Sequence, residues 1–259
     1  MNGPLAQFNA PPPRKRSLFG YVVEAIGSRI IRGDLKPGDT LPNEADLGRE
    51  LGASRSVVRE AVKSLASKGM LEARTRVGTR VLPSTHWNLL DVEVLRWRYA
   101  AMPPMQFFRE MFEIRRMIEP EAAWLAGERA TRADIVAMDE AFRGIETANQ
   151  SSKDAIESDI RFHRAILAAS HNELIVQMGA MVSVGLTVSF GISSSSFGVF
   201  IAHHKRVLEA IRARQPEAAR DAMRKLLDDT HQFLERKLAG KLAEEQQSAQ
   251  RRRVPERAL

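Results

Sequence analysis

Between residues 105 and 238 the apolar side chains recur at helical spacing in segment after segment, and no other feature of the chain limits its fold as tightly. A 3.6-residue period lays one apolar stripe along a helix, whereas in a strand the same side chains would scatter over both faces. The segments are FFREMFEIRRMIEPEAAWLAGERA, TRADIVAMDEAFRGIETAN, AIESDIRFHRAILAAS, NELIVQMGAMVSVGLTVSF, FIAHHKRVLEAIRAR and PEAARDAMRKLLDDTHQFLERKL. Thr131, Asn172, a run of serines and Gln215-Pro216 punctuate them. Helices with one apolar face each, on short connections, bury those faces against one another, so an all-helical bundle is expected over residues 105–240. It contains no nucleotide-binding loop, nucleophile elbow or paired-carboxylate signature, and no enzyme activity is expected.

Residues 17–83 read differently. SLFGYVVEAIGSRIIRG has a helical stripe closed by Gly33, and LKPGDTLP supplies turn residues. Asn43 can cap a short helix NEADLGREL that Gly52 ends, and Ser54 can cap SRSVVREAVKSLASKG, which Gly69 stops. Two short helices joined by Gly-Ala-Ser have the shape of a helix-turn-helix. MLEARTRVGTRVLP then gives two β-prone runs around Arg76-Val77-Gly78, a hairpin or wing. The whole chain is therefore expected to be mainly α: a winged helix-turn-helix followed by a bundle. Residues 84–104, with Pro103-Pro104 at their end, read as a linker.

Charge suggests what the first module meets. The chain carries 39 Lys and Arg against 32 acids, a net +7, which suits a polyanion such as double-stranded DNA as well as a plain solvated surface. Position favours DNA. Ser54, Arg55, Ser56 and Arg59 crowd the start of the second helix, where they can reach phosphates and base edges in a major groove. Arg55 is the expected base reader, since a guanidinium bonds a guanine edge in bidentate fashion. Arg74, Arg76 and Arg80, with Gly78 at the turn, are expected to bring the wing against the DNA backbone or minor groove.

There is no cysteine, which excludes disulfides, thiol nucleophiles and thiolate-bound zinc and fits a reducing compartment. No uninterrupted apolar run of about 18 residues and no signal-peptide core stands out, so a cytoplasmic protein without membrane contact is expected. The Pro-rich basic start, residues 1–16, and the end, residues 241–259 with its Arg251-Arg252-Arg253 cluster, lack apolar periodicity and read as flexible tails.

In the bundle, DIRFHRAI places Asp159 and His163 at i and i+4 on one helix face. Spacing alone favours an ordinary hydrogen-bonded buried pair over half of a metal site.

The order LKPGDTLPNEADLGRELGASRSVVREAVKSLASKGMLEARTRVGTRV resembles the DNA-binding domain of the GntR family of bacterial regulators, with Ala45 standing where that family often has arginine. EIRRMIEPEAAWLAGERAT, DIRFHRAILAASHN and HHKRVLEAIRARQPEAARDAM resemble the FCD effector domain of that family's FadR branch. The resemblance implies a divalent metal, zinc or else nickel or manganese, held by Asp159, His163 and His204, with Arg115 facing the same cavity to bind a carboxylate. The fourth ligand position of the branch falls on Leu226, so at most three such ligands remain unless His203 or His231 is recruited. A surface salt bridge is the plainer role for Arg115, a turn position for His171, and a loop for the serine run. A narrower likeness to sugar-acid regulators within the branch lies in WNLLDVEVLRW, EIRRMIEP, DIRFH and the missing ligand. It implies a homodimeric repressor released from its operator by an aldonate such as D-galactonate. A regulator answering the metal alone or another carboxylate, or a metal-dependent hydrolase, are the alternatives.

Overall fold

The computed structural model describes residues 17–74, 78–148, 153–192 and 198–253. The chain divides into two compact units, Met1–Met102 and Pro103–Leu259.

The first unit is built from α1 (Leu18–Arg32), α2 (Glu44–Leu51), α3 (Arg55–Ser67), a two-stranded antiparallel sheet of β1 (Leu71–Arg74) and β2 (Gly78–Val81), and α4 (Val92–Ala101). Local chemistry sets the boundaries. Ser17, Asn43 and Ser54 accept hydrogen bonds from the first free N–H groups of α1, α2 and α3, and Gly33 and Gly52 take the left-handed conformation that ends α1 and α2. Val22, Ile26 and Ile30 of α1 meet Leu47, Val58, Ala61 and Leu65 of α2 and α3 in a core that Met70, Leu71 and Val81 close from the sheet side. Burying each of the larger side chains contributes about 1.5–3 kcal/mol. Residues 38–41 line the outer edge of β2: the N–H of Gly38 donates to the Val81 carbonyl, and that of Leu41 to the Thr79 carbonyl.

The segment expected as a linker holds a helix. Val94 and Trp97 of α4 are buried in the first unit's core, and the Trp97 ring lies against Gly27 of α1 so closely that a Cβ there would stand 2.5 Å from it. Asp91 caps α4, accepting from the N–H groups of Glu93 and Val94. Lys68 fastens the same point, 2.7 Å from Asp91 and 2.9 Å from Glu93.

The second unit contains α5 (Pro104–Arg129), α6 (Arg132–Thr147), α7 (Lys153–Ala169), α8 (Glu173–Gln177), α9 (Gly179–Ile192), α10 (Ile201–Arg212) and α11 (Pro216–Arg253). Packing joins α5 to α7, α9 and α11, α6 to α7 and α10, and α10 to α11. Phe142, Phe162, Ile166, Val207, Ile211 and Met223 are among the side chains in its core. Thr131 and Asp134 cap α6 reciprocally.

Three expectations change. The fourth apolar segment is two helices, α8 and α9, divided at Met178. Glu173–Phe190 is in fact long and apolar enough to cross a membrane, a property that a search for uninterrupted apolar runs misses. Here the stretch breaks in two, and Val182, Val184 and Leu186 are buried in the bundle. Finally, α11 continues to Arg253 through residues read as a tail. Ala, Glu, Gln, Lys and Arg dominate that stretch, and their helix propensity sustains it without an apolar stripe.

Candidate functional site

At the centre of the bundle α7 carries Asp159 and His163 one turn apart, and α10 brings His204 beside them. All three are buried, and one ligand atom from each lies within 4.8 Å of the others. Asp159 and His163 do not hydrogen-bond to each other: His163 Nε2 stands 3.6 Å from Asp159 Oδ1. Asp159 Oδ1 instead faces His204 Nε2 at 2.9 Å. The plain buried pair that the spacing favoured is absent.

The other ring nitrogens settle which atoms point inward. His204 Nδ1 lies 2.8 Å from the Phe200 carbonyl, and a carbonyl only accepts, so Nδ1 carries the proton. His163 Nδ1 makes a short contact with Glu119 Oε2. Glu119 is ionised: burial alone would raise its pKa, but Arg115 and His163 outweigh burial and hold it at about 2. His163 therefore donates from Nδ1 as well. In these tautomers, assigned from the hydrogen-bond partners, Nε2 is the nitrogen each ring turns towards Asp159, and at His204 it shares a proton with Asp159 Oδ1 that a bound metal ion would displace. Burial pushes that carboxylate up, and the His204 hydrogen bond with the nearby His163, His204 and Arg115 charges brings it below its ordinary value. One carboxylate oxygen and two ring nitrogens thus converge, with the His204–Asp159 hydrogen bond among them.

The local charge agrees. One guanidinium, Arg115, faces two carboxylates, Glu119 and Asp159, so the carboxylates outnumber the one permanent cation. One oxygen and two nitrogens suit a divalent cation of the zinc type, with positions left open. Leu226 lines the same cavity and offers no donor. His203 and His231 are not recruited: His203 Nε2 bonds Asp229 at 2.8 Å, and the His231 ring stacks on Phe108. Among the described residues the cluster holds three ligands.

Arg115 is no surface residue. It is 2% exposed, its Nε donates to Glu119 Oε1 at 2.5 Å, and its guanidinium lies 5.1 Å from the Phe112 ring centroid. Gly185 of α9 makes room for it, since a Cβ there would stand 3.2 Å from Arg115 Cδ. Arg115 lines the cavity, and its Nη1 is buried without a hydrogen-bond partner; such an orphan costs free energy unless an acceptor arrives. Leu186, Phe200, Leu226 and Phe233 give the cavity apolar walls, and Ser189 and Thr230 give it hydroxyls. Its volume of about 30 Å³ admits one or two waters. A six-carbon acid enters only if the walls move.

Glu119 is the residue that sequence reasoning missed. Its signal was present, because Arg115 and Glu119 are i and i+4 on α5, but the partner His163 lies 44 residues away. His171 sits at the turn expected of it, with φ of 49° and Nε2 2.9 Å from Asp134. The serine run, residues 193–196, lies outside the described residues.

On the first unit, Ser54, Arg55, Ser56 and Arg59 stand together at the exposed start of α3. Arg55 makes no hydrogen bond or ion pair to the described residues. Ser54 Oγ and Ser56 Oγ lie 2.9 Å apart, and Ser54 also caps the helix. Arg59 is held in bidentate fashion by Glu44 of α2, at 3.0 and 2.9 Å, an exposed pair that a phosphate can compete with. Arg80 Nε donates to the Gly38 carbonyl, so it ties the wing to the loop before α2. Gly78 has φ of 100° and pairs with Arg74 in the β1–β2 register. The Arg74 side chain and Arg76 lie outside the described residues.

Comparison with known proteins matches residues 20–81 to the bacterial regulatory proteins of the gntR family and residues 110–229 to the FCD domain. The galactonate operon transcriptional repressor of Escherichia coli (strain K12) is 32% identical over 205 residues, 78% of this chain and 90% of that protein. The putative L-lactate dehydrogenase operon regulatory protein of the same organism is 31% identical over 230 residues, 85% and 88% of the two chains. Among solved structures, a Listeria monocytogenes protein, Lar, described as controlling expression of the agr system, shares the fold. Its TM-score is 0.61 at 16% identity, over 85% of this chain and 97% of that one.

Proposed function

The chain belongs to the GntR family of bacterial transcriptional regulators, with an FCD domain behind its DNA-binding module, and from that premise we propose that it is a homodimeric repressor of sugar-acid catabolism genes. An aldonate such as D-galactonate, bound beside a divalent metal ion, would release it from its operator. The observation that carries this reading is the coexistence, around one buried cavity, of three converging side chains of metal-ligand type and an arginine with one guanidinium nitrogen lacking an acceptor. Asp159, His163 and His204 would hold the ion, zinc by donor type, with nickel or manganese as the other candidates. The ion would supply positive charge and open coordination positions for effector oxygens.

The rest falls to the chain's own groups. Arg115 would bind the effector carboxylate through Nη1, and Ser189 and Thr230 offer hydroxyls to a polyol. Leu226, which lines the cavity, would add no fourth protein ligand. Since the cavity is small, a six-carbon acid has to spread α10 and α11, which supply Phe200, Leu226 and Phe233 to its walls or their margins. An effector that binds a widened bundle better than a closed one shifts the protein towards the widened form, which is the physical basis of release. Ser54, Arg55, Ser56, Arg59, Arg74, Arg76 and Gly78 would face the operator, Arg55 reading base edges and the wing meeting the backbone. Two such modules in a homodimer fit a pseudo-palindromic site. The place of action is the cytoplasm, on the chromosome.

A thermal-shift panel tests the reading without knowledge of the operator. D-galactonate, other aldonates and L-lactate are added to the protein as isolated, after chelation, and after zinc is restored. A ligand at about 100 times its Kd stabilises the native state by about 2.7 kcal/mol, which raises Tm by several degrees. The expected result is a rise with D-galactonate that chelation removes and zinc returns. A response to zinc alone would favour a metal-responsive regulator, for which the cavity volume already speaks. A response to L-lactate alone would name a shorter acid.

A further inference from the structure

We infer that Glu119 is a positioning residue that sets His163 in its ligand tautomer and braces Arg115, so that one buried carboxylate orients both the metal-binding nitrogen and the effector-binding guanidinium. The inference rests on the proposed metal and effector reading for its purpose, but its geometry stands without it. Glu119 is 1% exposed and spends its two oxygens on different tasks. Oε1 accepts from Arg115 Nε at 2.5 Å, and Oε2 accepts from His163 Nδ1. Neither oxygen faces a described lysine or a backbone N–H.

A neutral imidazole has one proton for two nitrogens, and an acceptor at one nitrogen leaves the lone pair on the other. By holding the proton at Nδ1, Glu119 directs the Nε2 lone pair of His163 into the cavity. Metal-ligating histidines are commonly supported by a carboxylate in this way, and loss of the support typically weakens metal binding 10–100-fold. His204 is oriented by a different group, the Phe200 carbonyl, and so serves as an internal control. On the Arg115 side, the Nε bond and the Phe112 ring leave Nη1 as the nitrogen free to meet an anion. Gln in place of Glu119 keeps the shape but breaks the logic. Its amide nitrogen must face either Arg115 Nε, donor against donor, or His163 Nδ1, which then has to accept and move its proton to Nε2.

Selective ¹⁵N-histidine labelling of the full chain tests this, because six histidines give an assignable spectrum. In the wild type without metal, a downfield, slowly exchanging Nδ1 proton is expected on both His163 and His204. In Glu119→Gln the His163 proton should vanish while that of His204 persists, and zinc affinity measured by competition should fall 10–100-fold. The wild-type spectrum requires no variant to fold. A His163 ring without an Nδ1 proton in the wild type overturns the inference, as does its persistence in Glu119→Gln with unchanged zinc affinity. Should Glu119→Gln be unstable, the double variant Arg115→Met/Glu119→Met removes the buried charges together, leaves His163 Nδ1 without its acceptor, and must show the same loss at His163. If wild-type protein takes up no zinc at all, the metal reading fails, and the Nδ1 protons still decide the role of Glu119.

Discussion

Asp159 stands between two imidazoles, 2.9 Å from His204 Nε2 and 3.6 Å from His163 Nε2, and an isosteric substitution there separates metal binding from packing. In Asp159→Asn the amide oxygen can still accept from His204 Nε2, but the anionic ligand is gone. In chelated buffer the variant should melt no higher than the wild type, and added zinc should no longer raise its Tm. A zinc-dependent rise equal to that of the wild type would take Asp159 out of the metal site. The i, i+4 spacing of Asp159 and His163 was legible because helical geometry alone puts them on one face. His204 came by resemblance and Glu119 not at all, since nothing local in EIRRMIEP tells that its acid will cross to another helix. Arg59 and Arg80 show the same limit. Their charge was plain, but their partners Glu44 and Gly38 belong to other elements.

The element that departs furthest from its sequence reading is α4. The caps of α1, α2, α3 and α6 were legible because a cap is chemistry among neighbours, and the bundle helices because each carries a stripe. The stretch before the Pro103-Pro104 pair has no such stripe, and its docking depends on Gly27 leaving space for Trp97, a fact about two helices at once. Lys68 and Asp91 fasten it. Burial opposes the charge of each, but the pairing outweighs burial, so Asp91 titrates below 3.8 and Lys68 above 10.5. The signs give the pH window. The Asp91 contribution is complete above 3.8 and disappears as pH falls through its lower folded value. The Lys68 contribution is complete below 10.5 and disappears as pH rises through its higher folded value. Between these limits the docking does not depend on pH. Asp91→Ala, which loses both cap and pair, should lower stability by about 1–2 kcal/mol in urea unfolding followed by tryptophan fluorescence. Asp91→Asn, which keeps the cap oxygen, should lose less. An unchanged midpoint for Asp91→Ala would mean that α4 owes its place to Trp97 alone.

At the scale of the molecule, the residues proposed to meet DNA belong to one unit and the cavity proposed for the effector to the other, so regulation of this kind requires a free energy that couples them. Such a coupling is reciprocal. If zinc and D-galactonate weaken operator binding by a factor, typically 5–150, operator DNA must weaken D-galactonate binding by the same factor. Fluorescence anisotropy on the DNA side and calorimetry on the effector side measure the two at one salt concentration, which has to be fixed because phosphate contacts make DNA affinity strongly salt-dependent. Operator affinity indifferent to the effector would reject the repressor reading and leave the cavity another purpose. The form of α11 suggests how little movement such coupling needs. Its 38 residues make a rod roughly 57 Å long at about 1.5 Å per residue, and the side chains that wall the cavity, Leu226 to Leu234, lie before its midpoint or near it. With the fulcrum at Leu227, the far end at Arg253 is roughly 39 Å away by the same rise. A tilt of about 5°, which displaces the cavity wall by a fraction of an ångström, would swing that end through roughly 3 Å, so the helix works as a lever on whatever its tip touches.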